Sequence, residues 1–479
     1  MSTTSAPLGT VVVAGGSIAG LLSAAALAET ADRVVVLERD PVSDTCVGRP
    51  GTPQAIHTHG LLPSGRDAME GLLPGFTGDL VAAGGLSEGD AGQTGRWWIG
   101  GGLVAECEIG GAGVAVSRVL LEHTLRTRLA ALPRVELRSG VEVAGLTGTA
   151  SRVTGVVVRQ RGGDGTEVEM TADLVVDATG RSGRASRWLP AIGAAAPAEE
   201  RVLVGVRYVT THVTAQPSDL GGQAFVISAA TPTVPRGAVA IRQEDATWTV
   251  TLFAYGEESP LDADGLRQAA ARIVSPDVAE LLRDREPLHD PDEYRFPDCR
   301  RRRFDRLDLP LGYAAVGDAV CSLDPTFGQG MSLAALEARA LRRAATSGPV
   351  AVRDRYPREV SRIVDTAWTL VRDADLALPG VSAAERPSPA LIGWYVRRLQ
   401  RVARHDRVVA AALLRVTSLF ARPESLMTVP VAWRVLCRPR GRDPQVRNRA
   451  TAASCSARSQ SAAPTRRGSV DAPVRSESR

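Results

Sequence analysis

An α/β fold is predicted: a parallel-sheet domain interrupted by a β-rich insertion and followed by a helical extension. Three observations support this. Residues 11–40, VVVAGGSIAGLLSAAALAETADRVVVLERD, read as strand, glycine turn, small-residue helix and second strand. Residues 311–346, LGYAAVGDAVCSLDPTFGQGMSLAALEARALRRAAT, repeat the order strand, turn, helix far downstream. Between them residues 201–255 are dense in strand-type runs, and after them residues 351–437 turn to helical periodicity.

In the first unit, Val11 to Val13 form the short apolar run of a strand buried on both faces. Gly15 can take the positive φ of a sharp strand-to-helix turn, and Gly20 lets the helix approach the sheet. The N–H groups near Ser17, Ile18 and Ala19 then open a helix and form an anion site, helped by the helix dipole. Glu38 ends the second strand about 20 residues on, where a carboxylate can accept from an adenosine ribose. Ser17 stands where a G-x-G-x-x-G pattern has its middle glycine, and its hydroxyl is either the helix N-cap or a direct phosphate ligand. The unit is expected to bind a dinucleotide rather than form a plain tight turn.

Residues 41–66 are too rich in Gly and Pro for a regular element. They carry Arg49, Gln54, His57 and His59 and either line the ligand crevice or pin a long loop to the surface. No third metal ligand has spacing to match the two histidines, so no metal site is assigned. A helix is expected near 66–83, and strand-like runs split by glycines over 95–116. There the adjacent Trp97 and Trp98 must face opposite sides. Ser117 caps a helix whose leucines recur at helical spacing. Arg118 sits in its first turn, where the dipole disfavours a cation, so either an anionic ligand or a surface ion pair explains it. Residues 134–177 alternate as short strands and hairpins, ending in the buried run Leu174–Val176 and Asp177-Ala178-Thr179-Gly180. In the second key stretch, Asp318 follows a buried strand and Gly328-Gln329-Gly330 opens a long helix. Two nucleotide-facing turns so far apart need one extended ligand. Residues 438–479 have almost no large apolar side chains and are expected to be disordered.

The composition narrows the chemistry. The chain has 479 residues, 44% of them hydrophobic, and a formal net charge of +4. The segment from Cys437 onward holds ten Arg against three acids, so the rest of the chain is mildly acidic. A solvated basic tail is expected rather than a nucleic-acid surface. No lysine occurs, and all 57 basic residues are arginine. This removes a Walker-type phosphate lysine and a Schiff-base lysine. Six scattered cysteines without a C-x-x-C pair indicate neither zinc nor a disulfide framework. With no basic n-region and no long apolar stretch, a cytoplasmic protein without an integral membrane segment is expected.

The glycine turn with Glu38-Arg39, the strand ending in DATG, and the late GDA with P-x-x-G-Q-G-M together resemble the FAD-dependent monooxygenases related to para-hydroxybenzoate hydroxylase, over residues 8–350. GRPGTPQAIHTHGLL, VVDATGRSGRASRWL, CRRRRFDRL, GDAVCSLDPTFGQGMSLAALEA and ARPESLMTVPVAWRVL are similar to bacterial polyketide epoxidases of polyether pathways and their hydroxylase relatives. The resemblance implies a Rossmann-like FAD-binding domain (8–200 and 295–350), an inserted β-sheet substrate domain (84–116 and 201–294) and a C-terminal helical region (351–437). It also implies cofactor contacts. Gly15, Gly16, Ser17, Ile18, Ala19 and Gly20 would hold the FAD pyrophosphate, Glu38 the ribose and Arg39 the adenine. Arg49, Gln54 and Arg118 would also meet FAD, and Asp318 the ribityl chain or pyrophosphate. Gly328, Gly330 and Met331 would lie at the isoalloxazine, with His57, Pro325 and Phe327 in the flavin or substrate vicinity. Thr179-Gly180 stands where the hydroxylases carry Asp-Gly, and Asp324-Pro325 where the epoxidases often carry Asn-Pro.

The implied chemistry belongs to the cofactor. Reduced FAD forms a C4a-hydroperoxide with molecular oxygen, which epoxidises or hydroxylates an apolar polyketide-like or terpenoid-like small molecule. No catalytic side chain is assigned. Electrons would come from NAD(P)H, directly or through a separate flavin reductase. Two other readings remain open: a flavin-dependent reductase of prenyl double bonds, and a flavin-binding protein without turnover.

Overall fold

Five parallel strands run in the order Tyr313–Ala315, Leu174–Asp177, Thr10–Ala14, Arg33–Glu38 and Val135–Ser139. The computed structural model describes residues 8–87, 89–256, 262–384 and 389–437. Val11, Val12 and Val13 are fully buried, as their continuous apolar run requires of a central parallel strand. From Thr10–Ala14 the chain builds outward on one side through Arg33–Glu38, and only later on the other through Leu174–Asp177. The crevice between these neighbours, at their C-terminal ends, is therefore the topological switch point where such sheets bind ligands. Ala14, Asp177, Glu38 and Ala315 end their strands there.

The helix Ile18–Leu27 is buried almost all round, because the sheet covers one side and the helix Gly330–Thr346 the other. Its alanines permit that close approach. The helix expected near 66–83 is two, Pro63–Leu72 and Phe76–Ala82. Pro74-Gly75 breaks it, with Gly75 at φ +87°, and the Glu70 carboxylate accepts from Gly75 N at 2.6 Å and Thr77 N at 2.9 Å to open the second piece.

A larger, mainly antiparallel sheet runs in the order Cys321–Ser322, Asp292–Arg302, Glu199–Thr214, Thr247–Tyr255, Arg236–Arg242, Phe225–Ser228, Gly95–Ile99 and Gly102–Leu103. The 16-residue strand Glu199–Thr214 shifts register between Leu203 and Val206, at Gly205 with φ +59°. That bulge kinks the strand locally and sharpens its twist while both halves stay paired with Asp292–Arg302. Trp97 and Trp98 do face opposite ways. Trp97 is buried and donates its indole N–H to Ala91 O at 2.9 Å, whereas Trp98 donates to Asp277 at 2.7 Å. A second, separate core joins Trp97 to the C-terminal helices Ala390–Ala403 and Arg407–Thr417 through Tyr395, Leu399, Ala403, Leu413 and Leu414.

The chain divides into two units, Met1–Val435 and Leu436–Arg479. The sheets and cores above lie in the first. In the second, Leu436 and Cys437 are described, as the end of the helix Val429–Cys437. The expected disorder of 438–479 falls outside the described residues.

Candidate active site

Two glycines enforce the first turn. Gly15 sits at φ +115°, and a Cβ on it would stand 2.4 Å from the Ala178 carbonyl oxygen. A Cβ on Gly20 would stand 1.8 Å from the Gly15 oxygen, so the helix packs directly on the turn. Gly16 N donates to Glu38 Oε2 at 2.9 Å, Asp40 N donates to Glu38 Oε1 at 3.0 Å, and Arg49 pairs with Oε2 at 3.0 Å. A carboxylate offers about four acceptor positions, so this arrangement leaves Glu38 one more for a hydroxyl. The first bond of the helix runs from Leu21 N to Ser17 O, which leaves the N–H groups of Ile18, Ala19 and Gly20 without acceptors among the described residues.

Ser17 occupies the N-cap position, but its hydroxyl does not cap. It accepts from Arg118 Nη2 at 2.9 Å and donates to Glu122 Oε2 at 3.3 Å. A buried ion cluster has outcompeted the backbone for it. Glu122, 3% exposed, gathers Arg49 at 2.7 Å, Arg126 at 2.7 Å and Arg118 at 3.8 Å. Burial acts to raise its carboxyl, but Arg49, Arg118 and Arg126 pull it below the ordinary value. Burial lowers Arg118, Glu122 and Asp318 offset part of that, and its Nε has no hydrogen-bond partner among the described residues. A buried, half-satisfied guanidinium beside a row of free N–H groups fits an anion.

The second turn is built on the same plan. Gly317 takes φ +62° and its N–H donates to Glu337 Oε2 at 2.5 Å. Asp318 lines the cleft, where withdrawal from bulk water raises its carboxyl against the pull of Arg118, Arg181 and Arg302. Arg302 stitches the two strand-end turns together. It donates to Ala319 O at 3.0 Å and Asp318 O at 3.3 Å on one side and to Arg181 O at 3.1 Å on the other, and pairs with Glu199 at 3.2 Å. Gly328, at φ +66°, leads to Gln329 and the start of the helix Gly330–Thr346, whose first bond is Leu333 N to Gln329 O. The N–H groups of Gly330, Met331 and Ser332 are thus left over.

Both turns face a single cavity of about 1790 Å³. Ordinary small-molecule sites run to roughly 300–1,000 Å³, so this one has room for an extended dinucleotide and a second ligand. Gly15, Ser17, Ile18, Ala19, Glu38, Arg39, Arg49, Gln54 and Arg118 line it from the first unit. Asp318, Pro325, Phe327, Gly328, Gly330 and Met331 line it from the second, and His57 from between. Gly16 and Gly20 do not reach the cavity, since Gly16 lies under Glu38 and Gly20 under Gly15; their part is to shape the turn.

Away from the turns the wall is aromatic. His57 lies edge-on to Tyr208 at 4.8 Å and Tyr294 at 5.5 Å and shares a 2.8 Å hydrogen bond with Thr210. Burial lowers its pKa to about 4, and that of His59 to about 3, so both rings are neutral at pH 7. Asp324, 1% exposed, accepts from the Tyr255 hydroxyl and from Thr326 N, each at 2.8 Å, and burial raises its carboxyl. The two donors use different oxygens of the carboxylate, an arrangement that an asparagine, with its single acceptor oxygen, could not reproduce. Thr179 likewise folds back, its hydroxyl donating to Asp177 Oδ1 at 2.6 Å. Among the described residues no cluster of His, Cys, Asp or Glu could hold a metal ion.

Glu122, Glu337 and Arg302 are among the site residues that sequence alone does not single out, with the aromatic wall of Tyr208, Tyr294, Phe253 and Phe296. The signals were faint: Glu122 lies four residues after Arg118, and Glu337 sits on the apolar stripe of its helix among Leu333, Ala334, Ala338 and Leu341.

Residues 110–353 match the family of the FAD binding domain. The chain is 31% identical over 449 residues to Protein Rv3254 of Mycobacterium tuberculosis, covering 89% of this chain and 92% of that one. In fold it is similar to the flavin-dependent brominase Bmp2, with a TM-score of 0.63 at 16% identity over 94% of this chain and 99% of that one. It is also similar to p-nitrophenol 4-monooxygenase PnpA from Pseudomonas putida, with a TM-score of 0.61 at 19% identity over 86% and 99%. The glycine turn at residues 15–20 lies before the matched stretch, so its assignment rests on geometry. No helix among the described residues is long and apolar enough to cross a membrane.

Proposed function

Because the chain belongs to the family of the FAD binding domain, we propose that it is an FAD-dependent monooxygenase that epoxidises or hydroxylates an apolar, polyketide-like or terpenoid-like small molecule. On this reading it works in the cytoplasm in secondary metabolism, with electrons from NAD(P)H taken directly or through a flavin reductase. The observation that carries the reading is the joining of two nucleotide-facing turns and an aromatic chamber in one cavity. In this assignment the free N–H groups of Ile18 and Ala19 and the Arg118 guanidinium hold the FAD pyrophosphate. The remaining acceptor position of Glu38 takes a ribose hydroxyl, and Arg39 lies along the adenine. Asp318 receives the ribityl chain, and the helix start at Gly330 and Met331 meets the pyrimidine edge of the ring system.

Bound FAD supplies the redox chemistry that activates molecular oxygen. The chain supplies the surroundings. Tyr208, Tyr294, Phe253 and Phe296 exclude water and present flat apolar faces to a substrate. Neutral His57, held by Thr210, can take or give a hydrogen bond without adding charge. Arg181 stacks on Phe296 at 4.5 Å and fixes that wall.

Purified FAD-loaded protein given NAD(P)H, with and without a flavin reductase, and a panel of polyenes and prenylated aromatics under ¹⁸O₂ tests the reading. Transfer of one labelled oxygen atom to a product supports it. Saturation of an alkene under anaerobic conditions with no label transferred would replace it with a prenyl reductase.

A further inference from the structure

The helix Ala390–Ala403 lines the cavity with half-buried Val396 and Gln400 and with Arg397 and Arg401, both of which are also exposed to solvent. This helix packs on Trp97 of the larger sheet through Tyr395 and Leu399, not on the parallel sheet that carries the two turns. Arg397 and Arg401 are four residues apart and so share one face of the helix, with Cβ atoms about 5–6 Å apart. Neither has a hydrogen-bond or ion-pair partner among the described residues. Most other arginines of the wall are matched, Arg49 to Glu38 and Glu122, Arg118 to Glu122, Arg181 to Asp298 and Arg184 to Glu142, and Arg242 stands alone rather than in a pair. The next arginine along the face, Arg404, is engaged with Gly100 O at 2.5 Å and holds the loop beneath. Two like charges one turn apart repel weakly, and an anion between them reverses the sign of that interaction and can take hydrogen bonds from both. Ile99, Phe225, Ile227 and Leu413 contribute apolar surface to the same cavity.

We propose that Arg397 and Arg401 form an oxyanion subsite, and that the substrate is an apolar molecule ending in a carboxylate or phosphate. The apolar body lies in the chamber and the anionic end on the two guanidiniums, which fixes which carbon faces the reactive end of the cavity. This deepens the reading of the cavity as a substrate site, but binding can be measured apart from oxygen transfer.

The test is equilibrium dialysis of the FAD-loaded protein with three probes of one shape: 2-naphthoate, 2-naphthyl phosphate and methyl 2-naphthoate. At least one anionic probe is expected to bind tenfold or more tighter than the neutral ester. Preference for the carboxylate points to a free acid, and preference for the phosphate to a phosphorylated carrier or ester. In Arg397→Gln/Arg401→Gln that preference is expected to vanish, with ester binding and FAD content unchanged; Arg397→Lys/Arg401→Lys is expected to keep part of it. No preference for either anion in the wild type, or a preference that survives the Gln pair, overturns the proposal. Loss of oxygen transfer with the anion preference intact would count against the proposed reaction alone.

Discussion

Arg49 Nε donates to Glu122 Oε1 at 2.7 Å, joining the loop after the second strand to the helix Arg118–Ala130. Both side chains are buried, and the same carboxylate serves Arg118 and Arg126. Removing one member of a buried ion cluster leaves the others uncompensated, which costs roughly 3–5 kcal/mol. Glu122→Ala is therefore expected to lower the urea midpoint sharply, and Glu122→Gln to lower it less. An unchanged midpoint in Glu122→Ala would mean that the cluster is not tied together as described.

Two glycines separate shape from ligand contact. Gly20→Ala places a methyl group 1.8 Å from the Gly15 oxygen, and backbone on both sides cannot yield. It should cost about 1–3 kcal/mol and lower FAD retention with stability. A Cβ on Gly330 meets nothing within 4 Å. Gly330→Ala should leave the unfolding midpoint in place and yet weaken FAD retention, because the methyl group enters the cofactor's space. Equal FAD affinity in Gly330→Ala and wild type would place the cofactor elsewhere.

Glu337 supplies a pH dependence. Burial raises its carboxyl from 4.5 to about 8, while the Gly317 N–H acts in the opposite direction. The folded chain thus keeps a proton that the unfolded chain releases between those values. Its contribution to stability is complete below pH 4.5, falls as pH rises toward 8, and is spent above it, by on the order of a few kcal/mol. Glu337→Gln keeps an acceptor for Gly317 N–H and cannot ionise. Thermal unfolding followed from pH 5 to 8 should show a shallower decline for Glu337→Gln than for the wild type. Parallel curves would remove Glu337 as the source.

The parts of the site that follow from local rules were legible in the sequence. A run of valines, a glycine that must turn and an acid at the next strand end define the first unit through constraints that act within a few residues. Gly328-Gln329-Gly330 does the same for the second. The Ser17 hydroxyl was not legible, because its partners Arg118 and Glu122 are brought to it only by the packing of another helix. The helix near 66–83 was drawn unbroken because its apolar period continues across Gly75. The stitching by Arg302 was hidden in four consecutive arginines, three of which alternate across the end of the strand Asp292–Arg302 while Arg303 lies just beyond it.

The central claim is that the two turns hold one FAD in the cavity they share. Absorbance of the purified protein, followed by FAD titration of any cofactor-free fraction, tests it most directly. The expected result is a flavin spectrum at one FAD per chain, with retention weakened in Glu38→Ala. A colourless protein that takes up no added FAD would contradict it.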